Sequence, residues 1–263
     1  MTICRATVPP AQHLDSSDMI LRVLGSSSAG NCYILDNGKE ALVLECGVSL
    51  SKVKEAVGYD ISRIAGAFVS HEHNDHCGHA GEFIAARIPV HMSEGTAREK
   101  QFWGNSINII RSLTKVSAGE FSILPFDVRH DAAEPMGFLI RHDETGDILF
   151  ATDTYYIKYR FRGLSTMMIE CNYDRGIVNE NTESGKLHPS VRNRIIKSHM
   201  SLDTCIDTIL ANDRSKMMRI VLIHLSAGNM DANEAVRRVS EASGIETLAA
   251  VPDMEININR TPF

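Results

Sequence analysis

His71-Glu72-His73-Asn74-Asp75-His76 places four potential metal ligands within six residues. Residues 64–70, which precede this cluster, form a short apolar run bounded by small residues and predict a buried strand. Residues 77–87, which follow it, predict a helix. We therefore expect the cluster on the turn from the C-terminal end of a strand into a helix, where α/β proteins usually place their functional sites.

The spacing of these side chains indicates two neighbouring metal ions. In an extended segment, His71 and His73 project to the same side, so both imidazoles can reach one metal. Asp75 and His76 are adjacent where the chain turns, so they point elsewhere and can hold a second ion close by. Imidazole and carboxylate ligands suit zinc, and also iron or manganese. A polar turn that is His-rich by chance is the alternative, and the density of ligands disfavours it.

The composition is ordinary for a soluble globular protein. A chain of 263 residues can form one large domain or two small ones, and its core needs no disulfides. The net charge of -6 excludes a globally basic protein, so a nucleic-acid role would need a local basic patch. The six cysteines form no CxxC pair, and we find neither a signal peptide nor a membrane-length apolar run. We expect free thiols and a cytoplasmic protein with no membrane partner.

Strands and helices alternate along the rest of the chain. Asn37-Gly38 and Thr145-Gly146 each separate two apolar runs and predict β-hairpins. Residues 121–130 predict one or two strands broken at Pro125, and the polar stretch that ends near Leu187 shows no clear period. No linker divides the chain. We therefore predict an N-terminal extension over residues 1–18 and a single α/β domain over residues 19–263, with sheets inside and helices outside.

Three further candidate ligands repeat the pattern of the opening cluster. His130, Asp153 and His224 each come directly after an apolar run that predicts a strand. A single histidine at a strand end is more often a hydrogen-bonded structural residue than a ligand. Three such positions beside the six-residue cluster favour metal binding.

Together these residues resemble the metallo-β-lactamase-fold hydrolases. The shared pattern is HxHxDH at His71 to His76, then a later His, a strand-end Asp and a late strand-end His. The resemblance implies an α/β fold, the four-layer αβ/βα sandwich, with a di-metal centre at one edge. It covers roughly residues 19–258.

The resemblance also implies a role for each candidate ligand. The first ion would be held by His71, His73 and His130, the second by Asp75, His76 and His224, with Asp153 bridging both. The two divalent ions would be zinc, with manganese or iron as alternatives. His91 and His142 are the alternatives to His130, and we interpret both as ordinary surface histidines.

Three local motifs narrow the resemblance to one branch. Residues 25–32 (GSSSAGNC), 130–135 (HDAAEP) and 198–201 (SHMS) are similar to the WalJ-type (YycJ) branch, which is nuclease-like. The last motif also resembles the GHxS element of the superfamily's phosphodiesterases, which makes His199 the candidate general acid. A capping or packing role is its alternative. Glu45 departs from the family, which commonly has Asp there, and this affects fine positioning more than metal binding.

The resemblance implies a di-metal hydrolase, and a phosphodiesterase or nuclease acting on DNA or RNA is the main hypothesis. Two ions roughly 4 Å apart can share one water and lower its pKa towards ~7, which gives a hydroxide nucleophile that Asp75 can orient. The alternative activity is hydrolysis of small esters, thioesters or lactones. A non-catalytic module that only holds metal is a third hypothesis.

One stretch bears on the nucleic-acid partner. Residues 155–200 contain eight basic and four acidic residues, and Tyr155, Tyr156, Tyr159 and Phe161 interleave with the first basic ones. Such a stretch can follow a phosphate backbone and stack on bases. The alternative is a solvated surface whose aromatic residues pack inward.

Overall fold

The computed structural model describes residues 18–260, so the predicted N-terminal extension lies outside the described residues except for Asp18. The first of two seven-stranded sheets contains β1 (Ile20–Ser27), β2 (Gly30–Asp36), β3 (Ala41–Leu44), β4 (Ile64–Phe68), β5 (Val90–Met92), β6 (Ile107–Ile109) and β14 (Met254–Asn257). Its spatial order is β14-β1-β2-β3-β4-β5-β6. The second contains β7 (Val116–Ala118), β8 (Phe121–Asp127), β9 (Met136–His142), β10 (Gly146–Ala151), β11 (Leu164–Glu170), β12 (Arg219–Ile223) and β13 (Glu246–Ala249). Its order is β13-β12-β11-β10-β9-β8-β7.

The helices connect the strands of each sheet. They are α1 (Leu50–Ala56), α2 (Asn74–Cys77), α3 (Ala80–Ala85), α4 (Glu94–Glu99), α5 (Arg175–Glu183), α6 (Pro189–Ser198), α7 (Leu202–Leu210) and α8 (Ala232–Ser243), with a 3-10 turn at Ile61–Arg63. Between residues 18 and 260, no helix has the length and apolar character needed to cross a membrane.

Three hydrophobic clusters show that the elements stack in four layers. The central cluster lies between the sheets and includes Phe68 of the first and Phe138 of the second, whose rings meet edge to face at 5.6 Å. A second cluster packs α7 and α8 on the outer face of the second sheet. A third packs α1, α3 and α4 on the outer face of the first. The predicted four-layer αβ/βα sandwich, a single α/β domain, is confirmed.

Parallel strands determine where functional side chains gather. β4 runs parallel to β3 and β5, and β10, β11 and β12 run parallel to one another. The carboxyl ends of parallel strands meet at one edge of a sheet, so residues that follow these strands lie together. The two predicted hairpins are also confirmed, because β2 pairs antiparallel with β3 and β9 with β10.

The structure differs from the prediction around the opening cluster and at Pro125. Residues 77–87 were expected to form one helix, but α2 begins inside the cluster at Asn74 and a separate α3 follows. The predicted break at Pro125 is wrong, because β8 runs through it without interruption. β7 pairs with β8 only as far as Ile123, so no strand on that side needs an N–H from the proline.

The polar stretch without a clear period contains the helix α5, and a helix that was not predicted, α6, follows it at Pro189. Helix α5 begins after Asp174, whose carboxylate accepts hydrogen bonds from the N–H groups of Gly176 and Ile177. Val178 is its one buried residue. A helix that is exposed on almost every side carries no apolar stripe, so its period is not visible in the sequence.

Candidate metal centre

The predicted ligands come from the carboxyl ends of four strands and from the short helix α2. His71 follows β4, His130 follows β8, Asp153 follows β10 and His224 follows β12. The structure brings all seven side chains into two overlapping groups, whose ligand atoms lie within 4.8 Å of one another. These groups are His71, His73, His130 and Asp153, and Asp75, His76, Asp153 and His224.

The first group turns three imidazole nitrogens towards one point. His73 Nδ1 lies 3.0 Å from His71 Nε2 and 3.2 Å from His130 Nε2. His130 Nδ1 must donate its proton to the Ser198 carbonyl oxygen at 2.9 Å, because a carbonyl only accepts, so its Nε2 carries a lone pair. Ligands of a tetrahedral zinc ion lie about 3.3 Å apart when Zn–N bonds are about 2.0 Å, so this spacing fits one ion.

The second group is more acidic, and Asp153 connects it to the first. His76 Nε2 lies 3.3 Å from Asp75 Oδ2 and 3.3 Å from Asp153 Oδ1. His224 Nδ1 lies 2.9 Å from the same Asp153 oxygen, while Asp153 Oδ2 faces His130 Nε2 at 3.4 Å. The buried His224 Nε2 has no hydrogen-bond partner among the described residues. One carboxylate therefore faces both groups through different oxygens, which is the arrangement that a bridging ligand requires.

Burial and charge divide the imidazoles into two classes. Burial lowers the pKa of His71 well below its ordinary value and also lowers the pKa of His130, so both are neutral, the form that binds metal. For His76 and His224, burial acts in the same direction, but the surrounding carboxylates, Asp153 above all, together outweigh it and raise the pKa of each ring. A divalent cation between these groups would supply the positive charge that the buried carboxylates attract.

The backbone at the centre adopts a rare conformation. Asp153 and His224 have positive φ angles of 43° and 55°, and so does the nearby Glu45 at 68°. Residues other than glycine rarely adopt this backbone conformation. Such strain concentrates at functional sites, where the surrounding structure enforces it. Two candidate ligands are thus held in place by their backbone as well as by their neighbours.

Comparisons with known proteins agree with this geometry. The sequence profile of the metallo-β-lactamase superfamily matches residues 27–184, more than half of the chain. The chain belongs to the metallo-β-lactamase superfamily. It is 28% identical over 225 residues to exodeoxyribonuclease YycJ of Bacillus anthracis, covering 79% of this chain and 82% of that protein. It is 26% identical over 227 residues to exodeoxyribonuclease WalJ of Streptococcus pneumoniae, covering 79% and 81%.

A solved structure of the superfamily supports the fold assignment. The metallo-β-lactamase fold protein YhfI from Bacillus subtilis matches with a TM-score of 0.69 and 16% sequence identity. The match covers 90% of this chain and 99% of YhfI. At this identity the likeness establishes the fold alone.

His199 lies beside both ligand groups, and a buried carboxylate that was not predicted from the sequence orients it. Its ring centre is 5.3 Å from that of His130 and 5.5 Å from that of His224. Its Nδ1 donates to Glu170 Oε1 at 2.7 Å, and His224 Nδ1 lies 3.2 Å from the same oxygen. Glu170 is the last residue of β11, and the predicted ligands likewise come directly after their strands. This position at a strand end is the sequence signal that could have revealed Glu170.

The other Glu170 oxygen holds the backbone on either side of the site. Oε2 accepts the N–H of Thr154 at 2.8 Å and the N–H of Met200 at 3.1 Å. Glu170 is completely buried, and its pKa is lowered because the neighbouring His199, aided by hydrogen bonds, outweighs the opposing effect of burial. The ionised carboxylate therefore fixes two loops and two imidazoles together.

Glu45 contacts the backbone and a side chain of the segment that carries the His71–His76 cluster. It is completely buried, both its oxygens lie 3.3 Å from the N–H of Ser70, and Oε2 lies 3.5 Å from His76 Nδ1. Two residues later, a Cβ on Gly47 would lie 1.8 Å from the carbonyl oxygen of Asp75, so only glycine allows the two loops to pass this closely. The glutamate side chain, one methylene longer than the family's usual aspartate, thus lies beside the His71–His76 cluster in this protein.

Two histidines expected at the surface are buried, so that interpretation is wrong. His91 stacks on Phe68 with ring centres 4.2 Å apart and planes inclined by 1°. His142 Nε2 lies 3.2 Å from Glu40 Oε1. Neither belongs to the two ligand groups, whereas His130 belongs to the first.

The aromatic and basic stretch divides into two parts. Tyr159 and Phe161 pack against Phe126, with ring centres 5.6 and 5.0 Å away, as the inward-packing alternative expects. Lys158 is paired with Asp127 at 2.6 Å. Tyr155 and Tyr156, in contrast, are exposed, and they follow Asp153 by two and three residues.

Proposed function

We propose that this protein is a di-metal phosphodiesterase that acts as a nuclease on DNA. The observation that carries the proposal is the pair of ligand groups that share Asp153, with His199 held beside both. Relatives with 26–28% identity are named exodeoxyribonucleases, which favours DNA ends as the substrate. The proposal specifies the reaction and the substrate class within a superfamily of metal-binding hydrolases.

In this proposal the seven clustered side chains hold two divalent ions. His71, His73 and His130 would hold the first, Asp75, His76 and His224 would hold the second, and Asp153 would contribute to both. Zinc suits this mixture of imidazole and carboxylate, with manganese or iron as alternatives. When bound, the ions supply Lewis acidity towards the phosphodiester and lower the pKa of a water molecule.

Asp75 is proposed to orient the attacking water. Its side chain is 21% exposed, whereas that of Asp153 is 3% exposed, so Asp75 is the carboxylate that substrate and solvent can reach. Burial raises the pKa of Asp75, but the neighbouring imidazoles of His224 and His76 together outweigh this and lower it. The carboxylate therefore stays ionised and can accept a hydrogen bond from water.

His199 is proposed to donate the proton that the leaving group needs. Its Nδ1 is occupied by Glu170, so Nε2 is left to face the substrate. Burial lowers the pKa of His199, but the Glu170 carboxylate outweighs this and raises it overall. The ring therefore holds a proton on Nε2 that can pass to the departing alkoxide.

The test is a panel of end-labelled DNA and RNA oligonucleotides incubated with metal-reconstituted protein. We expect mononucleotides released from DNA ends, and His199→Ala should lower kcat about 10²- to 10⁴-fold with the metal content unchanged. His188→Ala is the control, because His188 is an exposed histidine at the other end of α6. If the nucleic acids stay intact while acyl esters, thioesters or lactones are hydrolysed, the nuclease proposal is overturned. Full activity in Asp75→Ala would overturn the catalytic role of the centre.

A further inference from the structure

Two neighbouring tyrosines are exposed on the turn that directly follows Asp153. Tyr155 and Tyr156 are 44% and 45% exposed, although Asp153, Thr154 and Ile157 around them are buried. Tyr155 is two residues from Asp153, so their Cα atoms are at most about 7 Å apart.

The turn that carries the tyrosines is fixed to the site. Thr154 Oγ1 accepts the N–H of Arg129 at 3.0 Å and donates to the carbonyl oxygen of Tyr156 at 2.9 Å. The N–H of Tyr155 donates to the carbonyl oxygen of Arg129 at 3.2 Å. The N–H of Thr154 is itself held by Glu170. The backbone that carries both rings is thus hydrogen-bonded on two sides. This turn therefore needs little further ordering when a ligand binds.

A positive charge lies beside them. Arg129 precedes His130, is exposed, and its guanidinium forms no ion pair with any residue from 18 to 260. Lys158, three residues beyond Tyr155, is by contrast neutralised by Asp127. Two exposed rings and one uncompensated guanidinium at the rim of a phosphodiesterase centre match the chemistry of unpaired nucleotides, in which bases alternate with phosphates.

We propose that Tyr155 and Tyr156 stack on the terminal unpaired bases of single-stranded DNA while Arg129 contacts a neighbouring phosphate. This inference rests on the proposed nuclease function and deepens it, because it makes a frayed or single-stranded end the substrate. Stacking is tolerant of sequence, since every base has a π-face. The rings are therefore positioning residues that hold the strand end, and they take no part in proton transfer.

The test separates binding from chemistry. Affinity is measured by fluorescence anisotropy with a phosphorothioate-linked thymidine oligonucleotide, and KM and kcat with its phosphodiester counterpart, on the metal-loaded protein. Tyr155→Leu and Tyr156→Leu should each raise Kd and KM about 5- to 150-fold and change kcat less than about twofold. The matching Tyr→Phe variants should keep wild-type values, because the ring is retained. Removing the two terminal bases as abasic sites should abolish the difference between wild type and the leucine variants.

Tyr59→Leu is the matched control. Tyr59 is 73% exposed but precedes β4, whereas His71 follows it, so this tyrosine lies at the opposite end of the strand from the site. The stacking inference would be overturned if the leucine variants bound single strands like the wild type, or if the phenylalanine variants did not. The nuclease proposal would still hold as long as the wild type cleaves DNA. A wild-type protein that neither binds nor cleaves any oligonucleotide would overturn both.

Discussion

Replacing Glu170 with glutamine should disable His199 without removing any of the seven predicted metal ligands. Each carboxylate oxygen of Glu170 accepts two hydrogen bonds: one oxygen from His199 and His224, the other from the N–H groups of Thr154 and Met200. A glutamine of the same shape has only one oxygen, so its NH₂ group must face one pair of donors. Backbone N–H groups cannot change role, so we expect the oxygen to stay with them and the NH₂ to face the imidazoles.

The size of the effect follows from these contacts. Leaving a buried donor unsatisfied costs about 1–3 kcal/mol, so two of them should lower the free energy of unfolding by about 2–6 kcal/mol. For a domain of this size that lowers Tm by roughly 5–20 °C. Because His199 loses its orientation, kcat on labelled DNA should fall about 10- to 100-fold, the usual effect of removing a carboxylate that supports a metal site.

On one protein preparation, melting curves measure Tm, metal analysis measures the metal content, and steady-state kinetics measure kcat. Glu241→Gln is the control, because that carboxylate contacts only Arg237 on the exposed surface of α8. A Glu170→Gln protein with unchanged Tm and kcat would refute the orienting role of Glu170. A protein that loses its metal would show that Glu170 acts on the ligands rather than on His199.

Three further substitutions test separate parts of the structure. Gly47→Ala would place a Cβ 1.8 Å from the Asp75 carbonyl oxygen, so we expect metal analysis to show loss of the second ion and a melt to show destabilisation of about 1–3 kcal/mol; wild-type metal content would contradict this. Glu45→Asp withdraws the carboxylate from His76 by one methylene and should weaken metal affinity about 10- to 100-fold in a chelator competition, whereas unchanged affinity would remove the supporting role of Glu45. Burial lowers the pKa of His91 from 6.5 to about 4, so the unfolded chain binds a proton that the folded chain does not. Stability is therefore lost as pH falls from 6.5 towards 4, by up to about 3 kcal/mol. Urea unfolding of His91→Phe, which keeps the stack, should show a flatter pH dependence than the wild type, and an identical dependence would refute the assignment.

The clustering of the candidate ligands could be predicted because each one follows a strand that the sequence marks clearly. His71, Asp153 and His224 all come after apolar runs, and parallel strands bring their carboxyl ends to one edge. Metal binding by these side chains stays a prediction. Glu170 obeys the same rule but was not recognised, because its role depends on contacts with His199 and His224, which are 29 and 54 positions away.

The fold was predicted best where burial leaves a pattern in the sequence. The buried strands and the two hairpins were found, whereas α5 and α6 were missed because few of their residues face the core. The supposed surface histidines His91 and His142 were misplaced for a related reason. A histidine that stacks on a ring or pairs with a carboxylate in the interior has no distinguishing neighbour in the sequence.

The most direct test of the central claim is a metal titration of chelator-stripped protein, followed at each step by elemental analysis and by cleavage of labelled single-stranded DNA. We expect two ions per chain, with cleavage reaching its maximum only when the second ion is bound. We also expect that Asp153→Asn binds fewer ions and cleaves no DNA, because Asp153 faces both ligand groups. One ion per chain at full activity, or DNA cleavage that does not depend on metal, would contradict the di-metal phosphodiesterase.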